Sequence, residues 1–378
     1  MNPQDQSALT LTWGILSTGR IAEKFALDLL NPRPCSPINH ILTGVASSTS
    51  LSTACAFLDR IQAPKHVIPY GSYSALLSTP CEAVYIATPH SHHYQNAMMA
   101  LEAGKHVLIE KPITVNAEQC SALWNTAAAK RLFVMEGLWT RFQPIGYAFR
   151  EVLGEVGKVH RVWADNGLGM EVERQFPTGD RLVTLDLAGG GLLDLGIYSL
   201  NWVLQALGPR GDYTPRSVAS AMVKNRSTGV DETTTILLRF SAEKGDQEIH
   251  AIVASSPRCA TDADGNTPCV RVQGDKGELQ VFGWPWRPSR LRIVAREQGF
   301  GNPGMVGKEI LNHMPDQVYG LVYEADEVAR CVQSGRLESQ TMSWKESLAT
   351  MKIMDQVRKE NGLWFGEEPE SVLYPFAQ

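Results

Sequence analysis

Thr12–Phe25 reads "TWGILSTGRIAEKF": an apolar run, a tight turn and the opening of an amphipathic helix. In a strand–turn–helix of this kind, the spacing G-x-G-x-x-G builds a cradle for a pyrophosphate. Here the three glycine places hold Ser17, Gly19 and Ala22. The first place allows the tight turn, the second lets backbone approach phosphate, and the third lets helix and strand pack closely. The second is the one where any side chain meets the ligand, and it keeps its glycine. Ser17 is small and its hydroxyl can donate to phosphate. Ala22 adds one methyl at a packing position. The helix start adds unpaired N–H groups and a positive dipole end. The loop therefore offers Ser17, Thr18, Gly19, Arg20 and Ile21 to a dinucleotide, with an ordinary βα turn as the alternative.

Working outward, short apolar runs alternate with helical patterns as far as residue 136. "ILTGVAS" leads to "LSTACAFLDRI", "EAVYIA" to a helix starting near Ser91, and "HVLIE" to "NAEQCSALWNTAAAK"; "LFVME" closes the series. Unbroken apolar strands between helices imply a parallel sheet covered on both faces, with ligands at the carboxyl ends of its strands. The second run ends in Ser47, Ser48 and Thr49. An NAD site places Asp or Glu there for the ribose 2′-hydroxyl. Three hydroxyls and no carboxylate favour NADP, with Arg20 the nearest cation.

After residue 136 the pattern changes. A helix is expected around Ile145–Leu153, then the strands "VHRVWADNG", "SVASAMVKN", "ETTTILLRFS", "DQEIHAIVAS", "CVRVQGD", "GELQVFG" and "SRLRIVAR". Helices are expected at about Gly189–Ala206, Tyr319–Gln333 and Trp344–Glu360. The fold class is α/β: a Rossmann doubly wound domain over residues 1–136, and an α+β domain with a large, open, mainly antiparallel sheet over residues 137–378. An open sheet face suits a homodimer.

Composition narrows the function classes. The 378 residues are 43% hydrophobic and 20% charged, with net charge −5. That is an ordinary globular balance, which points to neither a nucleic-acid nor a membrane partner. The start "MNPQDQSALT" lacks the basic and apolar regions of a secretory signal, and no apolar run is expected to span a bilayer. Seven scattered cysteines without a C-x-x-C pair imply free thiols in a reducing compartment, hence a cytoplasmic protein.

Two segments carry candidate chemistry. "VLIEKPITVN" sets Glu110, Lys111 and Pro112 at the end of an apolar strand, where an ammonium can hold a ribose hydroxyl or favour a nearby phenolate. "GGGLLDLGIYSLNW" spaces Asp194 and Tyr198 four apart, on one face of a helix. Tyrosine has a reference pKa of ~10, and Lys111 beside it is expected to bring Tyr198 nearer neutrality, as a general acid–base for a hydroxyl proton. The plain alternative is a buried tyrosine and an ordinary helix aspartate. In "ATPHSHHY", Thr88, Pro89, His90 and His93 are expected along the cofactor crevice. His90, His92 and His93 lack the helix-face spacing and the neighbouring acid or thiol that a metal site needs, so no metal is expected. "DADGN" (Asp262–Asn266) reads as a polar turn, since a calcium loop's later ligands are missing.

These pieces, in this order, resemble the Gfo/Idh/MocA oxidoreductases. "WGILSTGRIA" is similar to the family's nucleotide loop, and "YIATPHSHHYQNAMMALEAGKHVLIEKP" to its T-P-N-x-x-H segment and E-K-P motif. "MEGLWTRFQP" and "DLAGGGLLDLGIYSLNW" resemble the branch that holds dimeric dihydrodiol dehydrogenases and fungal D-xylose 1-dehydrogenases. The resemblance implies NADP, a sugar or diol substrate, and catalysis by Lys111 and Tyr198 with Asp194 at the aspartate place. It further implies that Trp139, Arg141 and Phe142 lie near the active site, and it offers Arg181 as a substrate contact. Ser17, Ser48 and His90 depart from the family's glycine, arginine and asparagine, and "NGLGMEVERQFPTGDRLVTL" reads as a substrate-facing insertion. The expected reaction is oxidation of D-xylose to its lactone. The rivals are a dihydrodiol dehydrogenase, a ketone or dicarbonyl reductase, and a non-catalytic NADP-binding regulator.

Overall fold

A computed structural model describes residues 9–208, 213–241, 248–296, 304–315 and 318–376, apart from the side chain of Val306. Residues 1–8, Asp246 and Gln247 of an expected strand, and the last two residues lie outside the described residues.

The alternating runs become β1 (Leu9–Leu16), α1 (Arg20–Leu30), β2 (Ile38–Ala46), α2 (Leu51–Arg60), β3 (Ile68–Tyr70), α3 (Tyr73–Leu77), β4 (Ala83–Ile86), α4 (His93–Glu102), β5 (His106–Glu110), α5 (Ala117–Lys130) and β6 (Val134–Gly137). The strands are all parallel, in the order β3-β2-β1-β4-β5-β6. The chain reverses direction across the sheet between β1 and β4, which is where a doubly wound fold opens its ligand crevice. Helix α1 buries Ala22, Phe25, Ala26 and Leu29 against the sheet. Asn116 caps α5, its side chain accepting from Gln119 N at 2.8 Å. β3 and α3 were not among the expected elements; both are too short to leave a periodic signal.

The second half supplies α6 (Pro144–Val152), β7 (Val159–Gly167), α7 (Val172–Gln175), α8 (Ile197–Ala206), β8 (Ser217–Lys224), β9 (Asp231–Ser241), β10 (Glu248–Ser256), β11 (Val270–Gly274), β12 (Gly277–Trp284), β13 (Arg287–Ala295), β14 (Met305–Leu311), α9 (Val322–Gln333), α10 (Trp344–Glu360) and α11 (Glu367–Glu370). Its sheet runs β14-β13-β12-β11-β7-β10-β9-β8, antiparallel except where β7 meets β10. Helix α8 covers one face. The other face is open, and Ala219, Leu237, Ile252 and Trp163 lie across it in register; Leu237 and Trp163 are each 45% exposed. Residues 185–206 have the length and apolarity of a membrane span, contrary to expectation, but 94% of the stretch is buried inside the protein. It is a core element.

The expected helix at Gly189–Ala206 starts three residues later, as a π-turn at Leu192–Gly196 that runs into α8. The Asp231 carboxylate accepts the Leu192 N–H at 2.6 Å and anchors the turn. Two late helices return to the first sheet. Helix α10, opened by a Ser343/Glu346 capping box, packs on α5, with Trp344 stacked on Trp124. Helix α9 lies on β1 and β5. Asp28 of α1 accepts the N–H groups of Tyr319, Gly320, Leu321 and Val322 at 2.7, 2.8, 2.7 and 3.3 Å, capping it.

Candidate functional site

At the nucleotide end, Ser17 holds φ 106, a conformation L-residues rarely adopt. Its N–H donates to Ala46 O at 3.0 Å, and its hydroxyl accepts from Gly19 N at 3.3 Å. The tight turn is thus made by a serine where glycine is usual. Gly19 is extended (φ −78, ψ 178), so backbone shape does not demand glycine there. A Cβ on it would meet only Ser17 Oγ, at 3.6 Å; the open space it guards is the cradle. Helix α1 has no side-chain cap, which leaves its first N–H groups for a ligand. Beyond β2, Ser47 and Thr49 share a 2.9 Å hydroxyl contact and Thr49 continues to Thr53 at 3.1 Å. Ser48 pairs with the Tyr73 phenol. These hydroxyls, the cradle and the uncapped helix fit an NADP adenosine and pyrophosphate. Arg20 is exposed. Arg60, which sequence reasoning missed, reaches Thr18 O at 3.4 Å while paired to Glu23 at 2.8 Å. It lies 42 residues from the loop, and only the packing of α2 brings it there.

The catalytic candidates meet around one carboxylate. Lys111 Nζ donates to Asp194 Oδ1 at 2.7 Å and to Asp194 O at 2.9 Å. Arg181 Nη1 donates to the same Oδ1 at 2.9 Å, and His90 Nε2 lies 3.7 Å from it. Lys111 also stands 5.1 Å from the centre of the Tyr198 ring. The Tyr198 hydroxyl accepts from Trp139 Nε1 at 2.9 Å. Trp286 lies 6.0 Å from that ring, and Trp284 stacks on Trp286. These two tryptophans extend an aromatic wall toward solvent. Neither was singled out in the sequence, because they arrive from the β12–β13 hairpin.

The glycine run explains how Arg181 gets there. A Cβ on Gly189 would lie 2.4 Å from Arg181 O, and one on Gly190 2.1 Å from Asp231 Oδ1. Gly190, at φ 117, donates its N–H to Leu182 O at 2.8 Å. Bare backbone lets the 180–184 turn lie directly on the segment leading to Asp194. The end of the expected insertion is therefore part of the site. Its other end is tied down by Arg258, which bridges Glu173 and Glu232.

Electrostatics follow from burial. Burial alone would raise the Asp194 carboxyl, but Arg181 and Lys111 together hold it well below the usual range. Burial, then the Arg181 charge, keep His90 neutral. Burial pushes the Tyr198 phenol well above its ordinary value, and the Glu110 charge adds to this. That reverses the expectation that Lys111 draws Tyr198 toward neutrality: the ammonium is engaged with Asp194.

Other expected contacts are corrected in the same way. Arg141 does not line the pocket. Its guanidinium is buried, bonded to Asn201 Oδ1 at 2.6 Å, Glu346 Oε1 at 2.7 Å and Thr341 O at 2.9 Å, and it locks α8 to α10. Phe142 is in the core. His93 is fully buried with Nδ1 2.7 Å from Pro112 O and Nε2 2.9 Å from Thr88 O. Burial lowers its pKa to about 4 against the raising effect of the two carbonyls, and with both ring nitrogens turned to backbone it braces the turns rather than reaching a ligand. Glu110 is buried too, accepting from the Tyr85 hydroxyl and from Lys111 N. The Thr88 hydroxyl accepts from Asn96 at 3.2 Å, and Pro89 leads into the 3₁₀ turn at His90–His92. The three histidine rings serve separate partners, and among the described residues no group of three or more His, Cys, Asp or Glu is placed to hold a metal. Asp262–Asn266 is a polar turn, with Thr267 N donating to Asp262 at 2.8 Å.

Residues 11–138 match the model of an oxidoreductase family with an NAD-binding Rossmann fold, and residues 152–280 that of the GFO/IDH/MocA C-terminal domain. The chain is 41% identical to the NADP(+) D-xylose 1-dehydrogenase of Hypocrea jecorina, over 97% of this chain and 95% of that one. It is 35% identical to the trans-1,2-dihydrobenzene-1,2-diol dehydrogenase of Bos taurus, over 95% and 99%. A 3-ketoreductase of Actinomadura kijaniata, solved with NADP and TDP-benzene, shares the fold at TM-score 0.72 and 22% identity, over 93% and 97%. The chain belongs to the Gfo/Idh/MocA family of oxidoreductases.

Proposed function

We propose that this protein is an NADP-dependent dehydrogenase that oxidises a hydroxyl of a small sugar or diol, with D-xylose, converted to its lactone, as the leading substrate. The observation that carries the reading is the convergence of Lys111 and Tyr198 at the carboxyl end of the first sheet, beside the crevice that Gly19 keeps open. The 41% identity to a D-xylose 1-dehydrogenase supports it. NADP+, when bound, supplies the hydride acceptor. In the oxidative direction Tyr198 first gives its own phenolic proton to solvent and then, as phenolate, takes the hydroxyl proton. In the resting site burial holds its phenol protonated, which also suits it to donate a proton in the reverse, reductive direction. The Trp139 N–H, bonded to the Tyr198 oxygen, stabilises negative charge there as that proton leaves. Asp194 holds Lys111 in place. Replacing Tyr198 with Phe should cut NADPH formation from xylose at least about 100-fold; undiminished turnover by a folded variant removes Tyr198 from this role.

The wall of Trp139, Tyr198, Trp286 and Trp284 favours a second reading within the same chemistry, a diol carried on an unsaturated ring. A panel of sugars, diols and dicarbonyls separates the two. The open face of the second sheet, with Trp163 and Leu237 exposed on it, suits a homodimer. Sedimentation of a Leu237→Asp variant tests this, and an unchanged mass dismisses that face as the contact. The seven unpaired thiols suit a reducing compartment such as the cytoplasm.

A further inference from the structure

His90 has a feature the catalytic reading leaves unused. Its Nδ1 is 2.9 Å from Ala188 O. A carbonyl oxygen only accepts, so Nδ1 carries the ring's proton and Nε2 holds a bare lone pair. Nε2 faces Asp194 Oδ1 at 3.7 Å, too far for a hydrogen bond. Two acceptors therefore look at one another across a gap. The groups that complete the surroundings, Lys111 and Arg181, are both donors. The ring is buried, 5% exposed. A ligand hydroxyl resolves the mismatch: it gives its hydrogen to Nε2 and accepts from Lys111 or Arg181 through its oxygen.

We propose that His90 Nε2 accepts the hydrogen of a second ligand hydroxyl, next to the one that reacts at Tyr198, so that the site selects a vicinal diol. This rests on the function proposed above. Lys111 spans the two positions, standing against the Tyr198 ring on one side and the carboxylate facing His90 on the other. An asparagine in this place can turn its amide to donate or accept. The histidine, with its proton committed to Ala188 O, can only accept, so it rejects ligands that lack the hydrogen. Burial and the two neighbouring cations keep the ring neutral and the lone pair available.

A hydroxyl of the nicotinamide ribose is the other source of such a hydrogen, and the test distinguishes the two. The wild type, His90→Leu and His90→Gln are compared on D-xylose and 2-deoxy-D-xylose, and NADP+ affinity is measured by fluorescence titration without sugar. The wild type is expected to favour xylose over the deoxy sugar about ten-fold or more in kcat/KM. His90→Leu should erase that preference. His90→Gln, which keeps an acceptor at the far end of the side chain, should retain most of it. NADP+ affinity should change less than about three-fold. A folded His90→Leu protein that still prefers xylose as the wild type does overturns the role of His90. So does a ten-fold loss of NADP+ affinity with the sugar preference intact, which assigns the acceptor to the ribose. If the wild type binds NADP+ yet oxidises no sugar or diol, the proposed function itself fails, and the selection of a vicinal diol fails with it.

Discussion

Glu324 offers a clean measurement of what burial does in this protein. It lies in the first turn of α9, fully buried, and neither carboxylate oxygen has a hydrogen-bond partner. Burial pushes its pKa well up, and the charges of Glu110 and Asp28 push it further. The folded protein therefore keeps a proton that the unfolded chain releases above about pH 4.3. Between those two pKa values stability must fall as pH rises, by about 1.4 kcal/mol per pH unit for this one proton. Glu324→Gln keeps the shape and breaks no bond, since there is none to break. Its amide brings unsatisfied donors that cost about 1–3 kcal/mol, but that offset does not depend on pH. The slope is the readout. Urea unfolding followed by tryptophan fluorescence, from about pH 5 upward, should show the variant gaining on the wild type as pH rises, by up to about 1.4 kcal/mol per pH unit until the folded carboxyl itself ionises, with m-values matched. A difference that stays flat over that range refutes the reasoning: Glu324 would then ionise normally in the folded state.

Two further outcomes follow from the site. Ser17→Gly relieves the positive φ at 106, worth about 1–2 kcal/mol, against about 0.5–1 kcal/mol for glycine's extra unfolded freedom. A net gain of up to about 1.5 kcal/mol is expected. NADP+ should also bind more tightly as the Gly19 N–H is freed, and calorimetry showing a clear loss of stability contradicts the strain. Asp194→Asn leaves Lys111 and Arg181 uncompensated and should cost about 3 kcal/mol near neutral pH. Because the folded pKa of Asp194 is held below its unfolded value, its contribution is present above about pH 4 and fades as acid protonates it. The gap between wild type and variant should therefore close on acidification; a gap that widens there counts against the pairing.

The first sheet was legible because short apolar runs alternate with helical patterns, as parallel strands buried on both faces require. Gly19, Lys111, Asp194 and Tyr198 were legible because each sits at a strand end or helix face that local pattern reveals. What stayed hidden depends on distance and burial. Arg60 and Trp286 come from far along the chain. Arg141, His93 and Glu110 have residue types that suggest ligand contact, and only packing turns them inward. The direction of the Tyr198 shift is hidden for the same reason: sequence names the charged neighbour, but not the carboxylate that occupies it or the burial of the phenol.

The bond set from Asp28 to the start of α9 bears on how this molecule can be dissected. A gene fragment ending near residue 137 would encode six strands and still leave one side of β1 and β5 bare, because α9 covers it. The Asp28 carboxylate would lose four donors at once. Such a fragment should aggregate rather than serve as a free-standing nucleotide binder. A chimera that exchanges nucleotide-binding halves between relatives should work only when the segment from 318 to 333 travels with its half. The natural seam for recombination is therefore discontinuous in sequence.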